Sequence, residues 1–121
     1  MLIPTQIKSL RQYFSPCLGG ILGGISVASH FWLIFMPISL FILWKGSERK
    51  IANFCWGFFF ILISHSWLYN LHPLTWLGFS WLVSLIIAIS ILLFCAFWGG
   101  LLVYLWGLLV EIFLWKEDVF K

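Results

Sequence analysis

The chain has 121 residues, of which 63% are hydrophobic, 21% aromatic and 9% charged, with seven basic and four acidic side chains. A mean hydropathy of +1.06 is more apolar surface than a water-soluble domain of this length can hide, since small domains bury only about 60% of what the unfolded chain exposes. The net charge of +3 sits in short clusters at the edges of apolar runs, which argues against nucleic-acid binding and for retention of basic residues on one side of a membrane.

The clusters are Lys8 and Arg11; Lys45, Glu48, Arg49 and Lys50; and Glu111, Lys116, Glu117, Asp118 and Lys121. Between them, residues 12–44 and 51–110 carry no formal charge, 33 and 60 residues respectively. About 20 apolar residues at 1.5 Å rise span a hydrocarbon core of ~30 Å. The second run therefore holds two spans and a turn, and the first holds one long span or two short ones.

In chain order, Ile3, Ile7, Leu10 and Phe14 recur at helical spacing within residues 1–15, with Thr5, Lys8 and Gln12 turned away. This reads as a short interfacial helix, or as a terminus that only looks periodic. Residues 16–110 form the membrane domain. Its first run is broken at Ala28-Ser29-His30, which gives two short helices, about 16–28 and 31–45, joined near His30; Pro37 kinks the second or marks a local irregularity in it. Each piece is short of a full core, so they form a shallow hairpin that either crosses or re-enters.

A third, standard helix runs from about 51 to 71 and stops at His72-Pro73, because proline disfavours helix in the residue before it. A long fourth helix, about 78–109, must tilt or project, and residues 111–121 form a cytoplasmic tail. The fold class is an all-α membrane protein with about four transmembrane helices. With four passes all seven Lys and Arg fall on one side, which places both termini and the 45–50 loop in the cytoplasm and the His72–Trp76 turn outside. A re-entrant hairpin for the first two helices predicts the same charge count.

Gly19, Gly20, Gly23 and Gly24 form overlapping small-xxx-small frames on the first helix. Ser84 and Ala88 begin a similar stripe on the fourth, continued by Ala96, Gly99 and Gly100. These read as helix-packing surfaces, within the chain or against another protein. His65, Tyr69 and His72, at spacings of four and three, form an outer-face polar cluster for head-group contact, a proton relay or plain interhelical hydrogen bonds.

No cofactor, metal constellation, nucleophile–base pair or phosphate-cradling loop can be assembled. Cys17, Cys55 and Cys95 stand singly in apolar runs and read as small hydrophobes. A cleavable signal peptide ending near Ser26-Val27-Ala28 is disfavoured because Pro16 and four glycines interrupt its apolar core. Phe14-Ser15-Pro16 before Cys17 does not match a lipoprotein acylation box.

At Ile51-Ala52-Asn53-Phe54-Cys55-Trp56-Gly57-Phe58, followed by Trp67-Leu68-Tyr69, the sequence resembles the amino-terminal membrane region of bacterial apolipoprotein N-acyltransferases. The Gly-rich short first helix, the short second helix from Trp32 to Trp44, the basic loop and the long fourth helix follow that pattern too. The resemblance implies a plasma-membrane enzyme that moves an acyl chain from a phospholipid to the N-terminal cysteine of lipoproteins. It also implies a nitrilase-like domain with a Glu-Lys-Cys triad, to which no residue here corresponds. The expected partners are membrane phospholipid and either the missing catalytic portion or another membrane protein. The chain is then the anchoring, lipid-facing part of such an enzyme or a self-standing small membrane protein that serves as an assembly partner.

Overall fold

Every element that these apolar runs form is helical, because a helix satisfies its own backbone groups without needing a neighbouring strand. The computed structural model describes residues 3–29, 33–46 and 49–119, with side chains over 14–29, 33–45 and 49–113. Four α-helices result: α1 (Ile3–Ala28), α2 (Phe35–Gly46), α3 (Lys50–Ser64) and α4 (Trp81–Val119). Two 3-10 segments, Ser66–Leu71 and Thr75–Leu77, join α3 to α4. The described residues contain no strand, so the fold is all-helical.

The helix boundaries differ from the sequence pattern in instructive ways. A separate segment over 1–15 was expected, yet α1 is one helix from Ile3 that runs through Pro16. Proline removes one intrahelical hydrogen bond, whereas a break there would unpair several backbone groups in an apolar stretch. The amphipathic pattern of residues 3–13 and the His30 junction lie outside the described side chains, and α2 is first seen at Phe35, not at 31.

The third helix was expected to reach residue 71 but ends as an α-helix at Ser64. There the Ser64 hydroxyl turns back on the Ile61 carbonyl at 3.4 Å and pairs with His65 at 2.9 Å, offering the backbone a local alternative to the helix. The chain then tightens into the 3-10 segment 66–71. Gly78 adopts φ +84°, a left-handed conformation that suits glycine, and the start of the last helix moves from 78 to Trp81. That helix continues past 109 to Val119, so residues 111–119 extend α4 instead of forming a separate tail; at 39 residues it is ~58 Å long.

α3 is the central element, with α1 on one side and α4 on the other, while α2 rests chiefly on α1. The register is readable from the glycines. Gly20 of α1 lies against Trp56, Phe59 and Phe60 of α3, and Gly24 lies against Phe60 and Ile63, so these two helices run parallel. Gly100 of α4 meets Phe54, and Gly99 meets Gly57 and Ile61, so α3 and α4 are antiparallel. Gly19 faces Ile42 and Gly23 faces Ser39, which makes α1 and α2 antiparallel as well. The four helices thus alternate in direction along the chain.

Burial is inverted relative to a water-soluble core. The most deeply buried side chains are small or polar: Ala52, Ala88, Ala96, Ser26, Ser39, Asn53 and Ser84. The large apolar ones face outward, including Ile34, Phe41, Trp44, Trp76, Phe94 and Phe113. Aromatic stacking fills the two seams, with Trp56 on Phe60 at 4.9 Å and Phe54 edge-on to Phe97 of α4 at 5.6 Å.

Candidate functional site

Three groups of polar or small residues organise the bundle. In the first, all four sequence-flagged glycines of α1 face its neighbours. A Cβ on Gly20 would press on the Trp56 carbonyl oxygen, and one on Gly24 would lie 2.6 Å from Ile63 Cβ and 2.9 Å from the Phe60 carbonyl oxygen. Gly19 and Gly23 meet side chains instead, those of Ile42 and Trp56 and those of Ser39 and Phe60. Close approach lets polar groups bridge helices. The Ser39 hydroxyl donates to the Gly19 carbonyl at 2.6 Å, and Trp56 Nε1–H donates to the Ser39 carbonyl at 3.2 Å. Ser26, fully buried, donates to the Gly23 carbonyl at 2.7 Å and lies 3.4 Å from Met36 Sδ.

The second group closes the α3–α4 turn. Ser84, on the first turn of α4, accepts the Leu74 amide N–H at 2.6 Å and shares a 2.9 Å hydrogen bond with His72 Nδ1. The Ser84 hydroxyl, with one proton and two lone pairs, can accept the amide and still either donate to or accept from Nδ1, so the direction of that second bond follows the imidazole tautomer. His72 Nε2 is buried and has no hydrogen-bond partner among the described residues. The His72 ring also sits edge-on to Trp81 at 5.0 Å.

His65, Tyr69 and His72 do not share one α-helical face, because the segment between them is 3-10. Three residues per turn stack Tyr69 beneath His72, with ring centroids 6.2 Å apart, whereas His65 falls off that row and pairs with Ser64. Ser84 and Ala88 are both buried, and Ser84 acts as the hydrogen-bonding clip of the turn as well as a small residue in the seam.

The third group lies at the other end of the α3–α4 pair. Lys50 Nζ and Glu111 Oε2 form an ion pair of 3.0 Å, beside an open cleft of ≈ 490 Å³ lined by Lys50, Leu108, Glu111 and Ile112. Ser84 and Glu111 are 27 positions apart on one helix, so the two polar ties are separated by ~40 Å.

Among the described residues these three groups tie helices to one another. A serine hydroxyl paired with a histidine is half of a nucleophilic triad, but Ser84 is fully buried and its oxygen already accepts an amide. Glu111, the carboxylate with described geometry, is at the far end of α4. No group of three or more His, Cys, Asp or Glu able to hold a metal occurs among the described residues. Sequence reasoning missed Ser39, Trp56 and Gly57; a serine alone in the apolar run 35–44 and a glycine in the Trp56-Gly57 pair were the available signals.

Among the described residues, fold and seams define an all-helical arrangement with small residues inside, large apolar residues outside, and one helix, Trp81–Phe113, long and apolar enough to cross a membrane. The chain is similar to a fragment of proteins named apolipoprotein N-acyltransferase. It is 67% identical over 98% of its length to the protein of that name from Prochlorococcus marinus subsp. pastoris, of which it covers 24%. It is 43% identical over 86% of its length to the namesake from Prochlorococcus marinus strain SARG, covering 22%, and 38% identical over 54% to that from Synechocystis sp., covering 12%. The chain thus spans about a quarter of the length of the first two relatives or less. No family model matches it, and no solved structure matches it.

Proposed function

We propose that this chain is the membrane-embedded, lipid-facing part of an apolipoprotein N-acyltransferase, corresponding to the family's amino-terminal membrane region in a bacterial plasma membrane. The observation that carries this reading is the 67% identity across nearly the whole chain to a protein of that name. On this reading the chain contributes anchoring helices and a lipid-facing wall. Acyl transfer from phospholipid to the amino terminus of a lipoprotein is then the work of groups in the rest of the relatives' length.

Membrane residence is supported by the inverted burial, since in lipid large apolar side chains face outward while small ones let helices approach. The ~40 Å between the His72–Ser84 and Lys50–Glu111 ties matches a bilayer with its head-group regions, about 40–45 Å. Trp67, Trp76 and Trp81 are exposed around the turn and Trp44 is exposed beside Lys45, as aromatic belts at two interfaces require. Alternating helix directions put Lys8, Arg11, Lys45, Arg49, Lys50 and the α4 end on one side, which we take as cytoplasmic, with both termini there.

The α1–α2 hairpin is the shallow part. With Gly24 level with Phe60–Ile63, Ala28 comes level with about residue 66, roughly 10 Å short of the His72–Ser84 tie. α1 itself therefore ends below the level of that tie, and phospholipid is the partner we propose for the surface beside it.

The test is acylation of a diacylated lipoprotein peptide. The chain expressed alone is expected to give no transfer, and co-expression with the remaining length of a relative is expected to restore it. Failure of the co-expressed pair, with both pieces present in the membrane, would instead favour a self-standing membrane protein that serves as an assembly partner.

A further inference from the structure

The α1–α3 seam brings together two cysteines that are 38 positions apart in the chain. Gly20 of α1 touches Phe59 of α3, and the helices run parallel. One turn towards the basic end from Gly20 is Cys17, and one turn in the same direction from Phe59 is Cys55. The register therefore places the two thiols opposite each other across the seam. Both are half-buried, and no disulfide joins them. Because Gly20 has no Cβ, the backbones approach here closely enough for its Cβ position to crowd the Trp56 carbonyl, and a disulfide needs this kind of proximity.

We propose that Cys17 and Cys55 are a dithiol site that an apolar disulfide oxidises to a covalent latch between α1 and α3. One thiolate attacks a sulfur of the reagent and expels the first small thiol, leaving a mixed disulfide on the protein. The second thiolate attacks the protein-side sulfur, expels the second small thiol, and closes the Cys17–Cys55 bond. Two protein thiols are oxidised by two electrons and one reagent disulfide is reduced to two thiols. The latch joins the two halves of the fold, because α2 rests chiefly on α1 and the α1–α2 hairpin meets the α3–α4 pair through this seam. The juxtaposition of the two thiols follows from helix register and is independent of the acyltransferase reading.

The test uses the full chain carrying Cys95→Ser, folded in detergent and treated with 4,4′-dithiodipyridine. The expected result is release of two thiopyridones per chain, a mass two hydrogens lower, and no retained pyridyl group. Trypsin cleavage after Lys45 and Lys50 should then leave the Cys17 and Cys55 peptides joined until a reductant is added. The same treatment in denaturing detergent, and of a folded Cys17→Ser, Leu18→Cys variant, should give separate pyridyl adducts. Two adducts on the folded Cys95→Ser chain, or no reaction at all, would overturn the proposal.

Discussion

Gly20→Ala separates two physical effects of opposite sign. In an isolated helix, replacing glycine by alanine stabilises by about 1 kcal/mol, because alanine loses less backbone freedom on folding. At Gly20 the new methyl would press on the Trp56 carbonyl oxygen and lie 3.1 Å from the Phe60 amide nitrogen, and neither backbone atom can rotate away. Relieving that contact means separating α1 from α3, an overpacking cost of about 1–3 kcal/mol. The net expectation is destabilisation by up to about 2 kcal/mol, rising for Gly20→Leu. Unfolding of the purified chain in mixed micelles by a graded denaturing detergent reads this directly, with Ser90→Ala on the exposed side of α4 as a control expected within about 0.5 kcal/mol of the parent. Stabilisation of Gly20→Ala would refute the seam, since only propensity would then be acting.

Gly23→Ala should cost less than Gly24→Ala, because the Gly23 methyl meets the Ser39 and Phe60 side chains, whereas the Gly24 methyl meets Ile63 Cβ and a backbone carbonyl; the same unfolding assay ranks them. Ser84→Ala leaves the Leu74 amide and His72 Nδ1 without their shared partner and should destabilise by about 1–3 kcal/mol, with faster hydrogen exchange at Leu74 as its signature; unchanged exchange there would remove the clip. Lys50→Met breaks an ion pair whose side chains are 41% and 64% exposed, so its effect on stability should stay below about 1 kcal/mol; a larger loss in the unfolding assay would mean that the pair is shielded.

Much of the fold was legible in the sequence because charge and glycine placement are strong signals. The uncharged runs 12–44 and 51–110 set where much of the helical chain lies, and Gly19-Gly20 and Gly23-Gly24 marked a close seam before any partner was known. Helix ends were less legible. Pro16 looked like a boundary, yet the helix tolerates one lost hydrogen bond, and the end of α3 at Ser64 depends on a side chain choosing between backbone and His65. The relative placement of His65, Tyr69 and His72 was not legible for the same reason: spacings of four and three imply one face only in an α-helix, and residues 66–71 are 3-10. Ser84 was flagged for its size, while its hydrogen bonds to a turn ten and twelve residues upstream depend on a tertiary path that periodicity does not encode. The Cys17–Cys55 juxtaposition likewise needs the parallel register of α1 and α3.

The central claim is that α3 and α4 carry the chain across a membrane, with the turn between them on the outer face. Its most direct test is a single cysteine at Thr75, exposed in that turn, in a chain whose Cys17, Cys55 and Cys95 are replaced by alanine, probed with a membrane-impermeant maleimide. The account predicts labelling from the outer face of intact spheroplasts, while a cysteine at Ser47 is labelled only after the membrane is opened. Labelling of position 75 solely from the cytoplasmic face, or of both positions from the outer face, would contradict it.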